Sequence, residues 1–468
     1  MEKLPRNYGL FTTISMIVGI CIGSGIFFKS DNILVATGGS VPLGVVVFVL
    51  GATSIIFGGL CISELASRTD RPGGLIAYME EFTSQKLACG MGWFQIFVYY
   101  PTIAVVVSWV VGIYMCLLFG WEGSLENQML IGFLFCTLAY LVNTLSAKAG
   151  GAFQNFTTVV KLVPLLAVAV CGLLWGNPAE GVRQITPQTV KGLSWFSAIG
   201  PIAFSFDGWI ISTSIASEIR DSKKNLPRAL VIAPIFILLI YVAYFVGVTN
   251  LLGAGTVMQR QDAHVYDAAQ LLFGGIGGKL ILIFVIFAVM GTVNGVVLGY
   301  IRLPYAMALR GEKMFPLSGP LSKVNRKLEM PVNSAVFSYA ITLCWAAVHF
   351  FTVKYNLLPN SDISEISIIM SYLFYIILYY KVFRLYRDGK IRSVFRGAVV
   401  PVLATLGSLF ILSGGLQSRL FMFYAAFCVL VVLLSFVYYG RHPASGQAGN
   451  SSSFKSGIFC DVAAGNPE

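Results

Sequence analysis

Stretches of about twenty consecutive apolar residues recur along almost the whole 468-residue chain, and they limit its fold more than any other feature. A helix of ~20 residues crosses a hydrocarbon core of ~30 Å. Inside lipid every backbone N–H and C=O must find a partner within the protein, so runs of this length read as membrane-spanning helices. Twelve spans are expected, near residues 8–35, 41–66, 88–119, 128–147, 153–176, 195–217, 228–252, 277–300, 332–353, 362–382, 397–414 and 419–440. The fold class is therefore an all-α membrane protein. Composition agrees: 56% of residues are hydrophobic, 11% are charged and mean hydropathy is +0.78. Soluble domains carry ~25% charged residues, which a water-facing surface needs and this chain lacks. The first apolar run begins near Leu10 and is followed at once by others, so it reads as a span and not as a cleaved leader.

The net charge of +11 is distributed by topology. With the N-terminus cytoplasmic, one membrane face carries 24 Lys and Arg, and the opposite face carries seven: Lys29, Arg183, Lys191, Arg260, Lys279, Lys354 and Arg419. The remaining cation, Lys161, falls inside a span. That bias is the positive-inside pattern, so both termini are expected in the cytoplasm, and the basic charge is no nucleic-acid footprint. Nine cysteines are scattered with no CxxC pair, and three histidines (His264, His349, His442) are too dispersed for a metal site. No GxxxxGK[ST] loop supports nucleotide-driven pumping, and no cofactor or enzymatic activity is expected. After Gly440 the chain turns small and polar, so residues 441–468 read as a disordered cytoplasmic tail beyond a twelve-helix domain at 1–440.

Two spans break the rules of a membrane helix. The first reads TISMIVGICIGSGIFFKS, with Gly19, Gly23 and Gly25 around Ser24 at mid-membrane depth. Glycine costs ~1 kcal/mol relative to alanine in a helix, so this stretch invites unwinding. Unwound backbone at that depth is tolerated where it lines a cavity. Close packing through Gly19 and Gly23 explains the same residues equally well. The sixth span reads WFSAIGPIAFSFDGWIISTSIASE, with Gly200, Pro201, Asp207 and Gly208 near its middle. A proline and a carboxylate within one span are costly unless the bundle interior uses them. Interrupted spans at positions one and six point to a transporter of two inverted five-helix repeats, here about 8–176 and 195–382, followed by helices at about 397–440. Half-helix N-termini in such folds face anionic groups and freed carbonyls face cations, and an amino acid zwitterion presents both.

Gly23-Ser24-Gly25-Ile26-Phe27 resembles the helix 1 signature of the amino acid–polyamine–organocation (APC) superfamily. The likeness extends over most of the first ten spans. It includes Glu64-Leu65-Ala66 with Pro72-Gly73-Gly74-Leu75-Ile76-Ala77-Tyr78, then Phe204-Ser205-Phe206-Asp207-Gly208-Trp209 to Glu218 and Lys223-Lys224-Asn225-Leu226-Pro227-Arg228-Ala229. It closes with Asn294-Gly295 and Arg302-Leu303-Pro304-Tyr305-Ala306-Met307-Ala308. Lys161 in span five and Tyr244 in span seven resemble the L-type amino acid transporter branch.

The resemblance implies a fold with helices 1 and 6 broken and a substrate site between the breaks. The substrate carboxylate would rest on the backbone N–H groups of Ser24, Gly25 and Ile26, and its ammonium on the carbonyls of Cys21, Phe204 and Asp207. The ring of Phe204 would act as a lid. Lys161 either snorkels to the interface or occupies the place of a sodium ion between helices 1 and 8; the resemblance favours the second, and with it sodium-independent transport. A group able to release its proton leaves proton coupling open. Asp207 either braces the broken helix 6 or faces the substrate side chain, where an acidic residue accompanies cationic substrates in some family members. Ile210 replaces an Asn found nearby in several animal relatives. The loop Gly120–Gln128 lacks the cysteine that ties animal relatives to a heavy chain, so no disulfide-linked partner is expected, as for a prokaryotic member.

The expected function is sodium-independent exchange of small or medium neutral L-amino acids by alternating access. Alternatives are a proton-coupled symporter, an exchanger that also accepts cationic amino acids, a passive channel and a non-transporting sensor. No span carries the polar stripe of a wetted pore.

Overall fold

The computed structural model describes residues 4–23, 25–26, 30–179, 194–261, 264–358, 362–415 and 421–442; Ser24, Arg183, Lys191 and most of the expected polar tail lie outside them. The described residues are helical with no strand, apart from two isolated bridges, Tyr8–Ile219 and Asn325–Met330. Ten helices among them are long and apolar enough to cross a membrane. They fall on ten of the twelve expected spans. The other two, at 8–35 and 195–217, are interrupted.

In chain order the elements that build the site are α1 (Leu10–Cys21), α2 (Ser30–Ala36), α3 (Val41–Ala66), α4 (Gln85–Phe119), α5 (Leu125–Leu145) and α6 (Ala147–Trp175). They continue with α7 (Ile199–Ser205), α8 (Ser222–Leu252), α9 (Gly277–Tyr300), α10 (Val332–Lys354), α11 (Glu365–Arg387), α12 (Val400–Gly415) and α13 (Phe421–Arg441). Four spans start on a serine that accepts a hydrogen bond from the N–H three residues on: Ser40 from Leu43, Ser84 from Leu87, Ser124 from Asn127 and Ser146 from Ala149. These caps satisfy donors that a helix cannot satisfy itself. Inside α4 the turn Gln95–Tyr99 widens to π geometry just before Pro101, whose ring excludes the regular ladder.

Packing is set by where small residues fall. A Cβ on Gly172 of α6 would lie 2.0 Å from the Gly247 carbonyl of α8, so only glycine lets these two spans cross backbone to backbone. Large apolar residues such as Leu134, Leu138 and Leu141 on α5, and Met422 and Phe423 on α13, are exposed in rows, the surface a lipid solvent calls for. The interrupted α1 lies inside the bundle against α6, α8 and α9. Its residues Ser15 to Cys21, which lead into the break, are all buried.

Candidate functional site

α1 ends at Cys21, where Ile22 leaves the helical region (φ −77°, ψ 81°) and the Gly23 N–H turns back to the Cys21 carbonyl at 2.9 Å. The chain is helical again at Gly25 and Ile26. A helix end leaves carbonyls without intrahelical partners, and each buried one needs a donor. Here the donors come from three other spans. The ammonium of Lys161 on α6 lies 2.6 Å from the Gly19 carbonyl, 2.7 Å from Ile22 and 2.9 Å from Ala288 of α9. Thr292 of α9 adds its hydroxyl at 3.2 Å from Gly19 and 3.4 Å from Ile20. Tyr241 of α8 donates to the Cys21 carbonyl at 2.7 Å.

Lys161 is fully buried, which excludes snorkelling. Its three oxygen partners are what a desolvated monovalent cation needs.

The second break mirrors the first. α7 ends at Ser205, and Gly208 adopts φ +90°, a conformation that L side chains rarely take. A Cβ there would also lie 2.3 Å from the side chain of Ile20, so the two breaks touch at a position that only glycine fits. The hydroxyl of Tyr241 lies 2.7 Å from the Ser205 carbonyl as well, so one phenol bridges the loose ends of both helices. Asp207 follows the break. Its carboxylate accepts from the Tyr99 hydroxyl, 3.0 Å from each oxygen, and from the Gly208 N–H. Tyr99 sits in the widened turn of α4, where the π geometry turns it inward.

Between the breaks is a cavity of about 30 Å³ bordered by Ile20, Cys21, Gly23, Gly25, Asp207 and Thr292. A water needs ~10–15 Å³, so this space is the size of a water or two and smaller than an amino acid.

Of the residues expected at the site, Cys21, Gly25 and Asp207 meet at this cavity, and Ile26 is buried next to Gly25. Lys161 stands behind α1, on its carbonyl side. Ser24 and the ring of Phe204 lie outside the described residues. Tyr244 is buried on α8 but does not border the cavity; the hydroxyl that reaches the breaks belongs to Tyr241, three residues earlier. Both tyrosines stand in the same apolar run, IYVAYF, and periodicity alone does not choose between them. Thr292 and Tyr99 escaped the sequence reading too, although a threonine between Gly291 and Asn294 is a polar signal inside span eight.

At the end of the bundle that carries the N-terminus lies a buried ion pair. Arg302 grips Glu218 with two parallel hydrogen bonds of 2.7 and 2.9 Å, donates to the Leu298 carbonyl at 2.7 Å and reaches the Tyr8 hydroxyl at 3.2 Å. Tyr8 in turn donates to the Ala147 carbonyl at 3.0 Å, and its backbone pairs with Glu218 and Arg220. The start of helix 1, the end of helix 6 and the segment after α9 are thus tied in one knot. Among the described residues no three His, Cys, Asp or Glu come together as a metal site, and the eight cysteines are free.

A family model described as Amino acid permease matches residues 8–434. The serine/threonine exchanger SteT of Bacillus subtilis is 31% identical over 446 residues, covering 93% of this chain and 97% of its own. The human b(0,+)-type amino acid transporter 1 is 27% identical over 93% of this chain and 88% of its own. The human large neutral amino acids transporter small subunit 2 is 26% identical over 73% and 64%. With two broken helices facing each other across a small cavity and a match that spans nearly the whole bundle, the chain belongs to the amino acid permease family of the APC superfamily of membrane transporters.

Proposed function

We propose that this amino acid transporter exchanges small or medium neutral L-amino acids by alternating access, without sodium. The observation that carries the reading is the ammonium of Lys161 among the carbonyls of Gly19, Ile22 and Ala288. A fixed cation there neutralises the freed carbonyls in place of a diffusible one. The substrate carboxylate goes to the N–H groups of Ser24, Gly25 and Ile26, and the ammonium to the carbonyls of Cys21, Phe204 and Asp207. Similarity to a protein named as a serine/threonine exchanger supports exchange and small substrates. The chain acts in the cell membrane with both termini cytoplasmic and without a disulfide-linked heavy chain, since Gly120–Gln128 holds no cysteine.

Twelve spans in two inverted repeats, about 8–176 and 195–382, with two further helices at about 397–440, are part of the same reading. Helix packing supports it. α3 packs on α8 and α4 on α9, the pairs that a two-fold relation between spans 2 and 7 and between spans 3 and 8 would join. The contact of α4 with α10 is matched by that of α9 with α5.

Counterflow of a labelled neutral amino acid into proteoliposomes tests the sodium claim. Replacing sodium by choline is expected to leave the initial rate unchanged within about twofold. A several-fold drop would mean that a sodium site operates despite Lys161.

Asp207 borders the cavity, and that position favours one second reading, an exchanger that also accepts cationic side chains. Its carboxylate is already engaged by Tyr99 and Gly208, so the bracing role comes first. Asp207→Asn is expected to lower the rate roughly three- to tenfold, the loss of one charge-assisted hydrogen bond, and to keep the ranking of substrates. Selective loss of competition by arginine or lysine against a labelled neutral substrate would establish the second reading instead.

A further inference from the structure

A groove of about 310 Å³ opens on the outside of the bundle, away from the substrate path. Its walls are the last turns of α3, the first turns of α8 and the start of the segment that leads into α12. The inner part is apolar, formed by Leu60, Val231, Ile232 and Val400. Ile232 is 48% exposed, so this wall opens outward between spans and not into the core. The mouth is charged and lies at the ends of the helices, where headgroups sit.

The mouth carries more positive charge than the protein neutralises. Arg228 and Arg396 both line it with Glu64. Glu64 is shared between Arg396 at 3.6 Å and Arg68 at 3.8 Å, and both separations are beyond a hydrogen bond. Arg228 makes no ion pair among the described residues, and Lys223 and Lys224 about one turn earlier on α8 are exposed. One carboxylate therefore faces three guanidinium groups.

From this geometry we infer that the groove is a binding site for an anionic phospholipid. The headgroup phosphate bridges Arg228 and Arg396, and the first part of an acyl chain lies along Leu60, Val231, Ile232 and Val400. Guanidinium matches phosphate with paired donors, and an apolar slot directly below them fits a molecule that is charged at one end and hydrocarbon at the other. Basic pockets between spans recognise anionic headgroups in this way. α3 packs on α8 along the groove, and α8 carries Tyr241, so an occupied groove fastens together two spans that border the breaks.

The test uses the full chain in a neutral detergent and native mass spectrometry with three probes: phosphatidylglycerol, phosphatidylcholine and glycerol phosphate. Phosphatidylglycerol is expected to stay bound, with phosphatidylcholine and the bare headgroup retained at least tenfold less. Each arginine removed is expected to weaken phosphatidylglycerol roughly fivefold, so the double variant Arg228→Gln/Arg396→Gln should lose more than tenfold. Lys323→Gln removes an exposed charge outside the groove and should change nothing. Both arginines are exposed, so the variants keep the fold, which size-exclusion elution verifies. Equal retention of phosphatidylcholine, wild-type retention by the double variant, or equal binding of glycerol phosphate would each overturn the site.

Discussion

Lys161→Ala is expected to reduce amino acid transport at least 100-fold while the protein still inserts and elutes as a single species. The ammonium serves the carbonyls of Gly19, Ile22 and Ala288 at 2.6–2.9 Å, and among the described residues no other side chain donates to Ile22. A buried acceptor left without a donor costs ~1–3 kcal/mol; Ile22 loses its donor, and Gly19 and Ala288 are left to share the one hydroxyl of Thr292, so the sum reaches the ~2.7 kcal/mol that corresponds to a factor of 100. The break would refold around whatever donors it can find, and the backbone geometry that receives a carboxylate would go with it. Initial uptake normalised to reconstituted protein measures the effect. A rate within threefold of wild type would show that the break holds its shape without the ammonium, and the assignment of Lys161 as the fixed cation would fail.

The second large effect concerns the knot at the opposite end of helix 1. Arg302→Met leaves Glu218 as an uncompensated carboxylate that is only 1% exposed. Breaking a buried pair by removing one partner costs ~3–5 kcal/mol, whereas replacing both partners with apolar groups of similar size is often close to neutral. The single variant is therefore expected to express poorly and to lose thermal stability. Arg302→Met/Glu218→Met is expected to regain most of that stability. The double variant tests function as well: with the knot cut, this end of the bundle opens more readily, and a thiol reagent should reach a cysteine placed at Ser15 faster than in wild type. Equal stability of the single and double variants would mean that the unpaired carboxylate is not what destabilises the single variant, and unchanged thiol reactivity would mean that the pair does not hold this end together.

The membrane fold and the positions of both breaks could be read directly from the chain. Apolar runs of a fixed length are a strong signal because lipid leaves the backbone no alternative to helix. Gly, Ser and Pro at mid-depth are exceptions to that rule and therefore conspicuous. Lys161 stood out for the same reason. Partners were much harder to read. Glu218 and Arg302 are 84 residues apart in sequence and Tyr8 is 294 from Arg302, and nothing local in any of the three announces the others. Tyr241 and Tyr244 differ by less than one helical turn, so choosing the one that bridges the breaks needs the rotation of α8 about its axis, which tertiary packing sets. Tyr99 needed the widened turn before Pro101, a backbone detail that composition does not encode.

One feature of α1 has mechanical meaning. The polar contacts of α1 and the residues flanking it with α6 follow one line: Tyr8 to Ala147, Thr12 to Asn155, Ser15 to Thr158, then Gly19 and Ile22 to Lys161. From Tyr8 to Ile22 that line is roughly 21 Å long at about 1.5 Å per residue. If the break after Ile22 is a hinge, a rotation of about 20° there carries the Tyr8 end through roughly 7 Å, wide enough for an amino acid, while the oxygens beside Lys161 shift by only a fraction of that. The same helix then has a latch at its far end and a fulcrum at its near end. Lys161 can keep its bonds while Tyr8 lets go, so the binding site need not lose its shape each time the door beneath it swings.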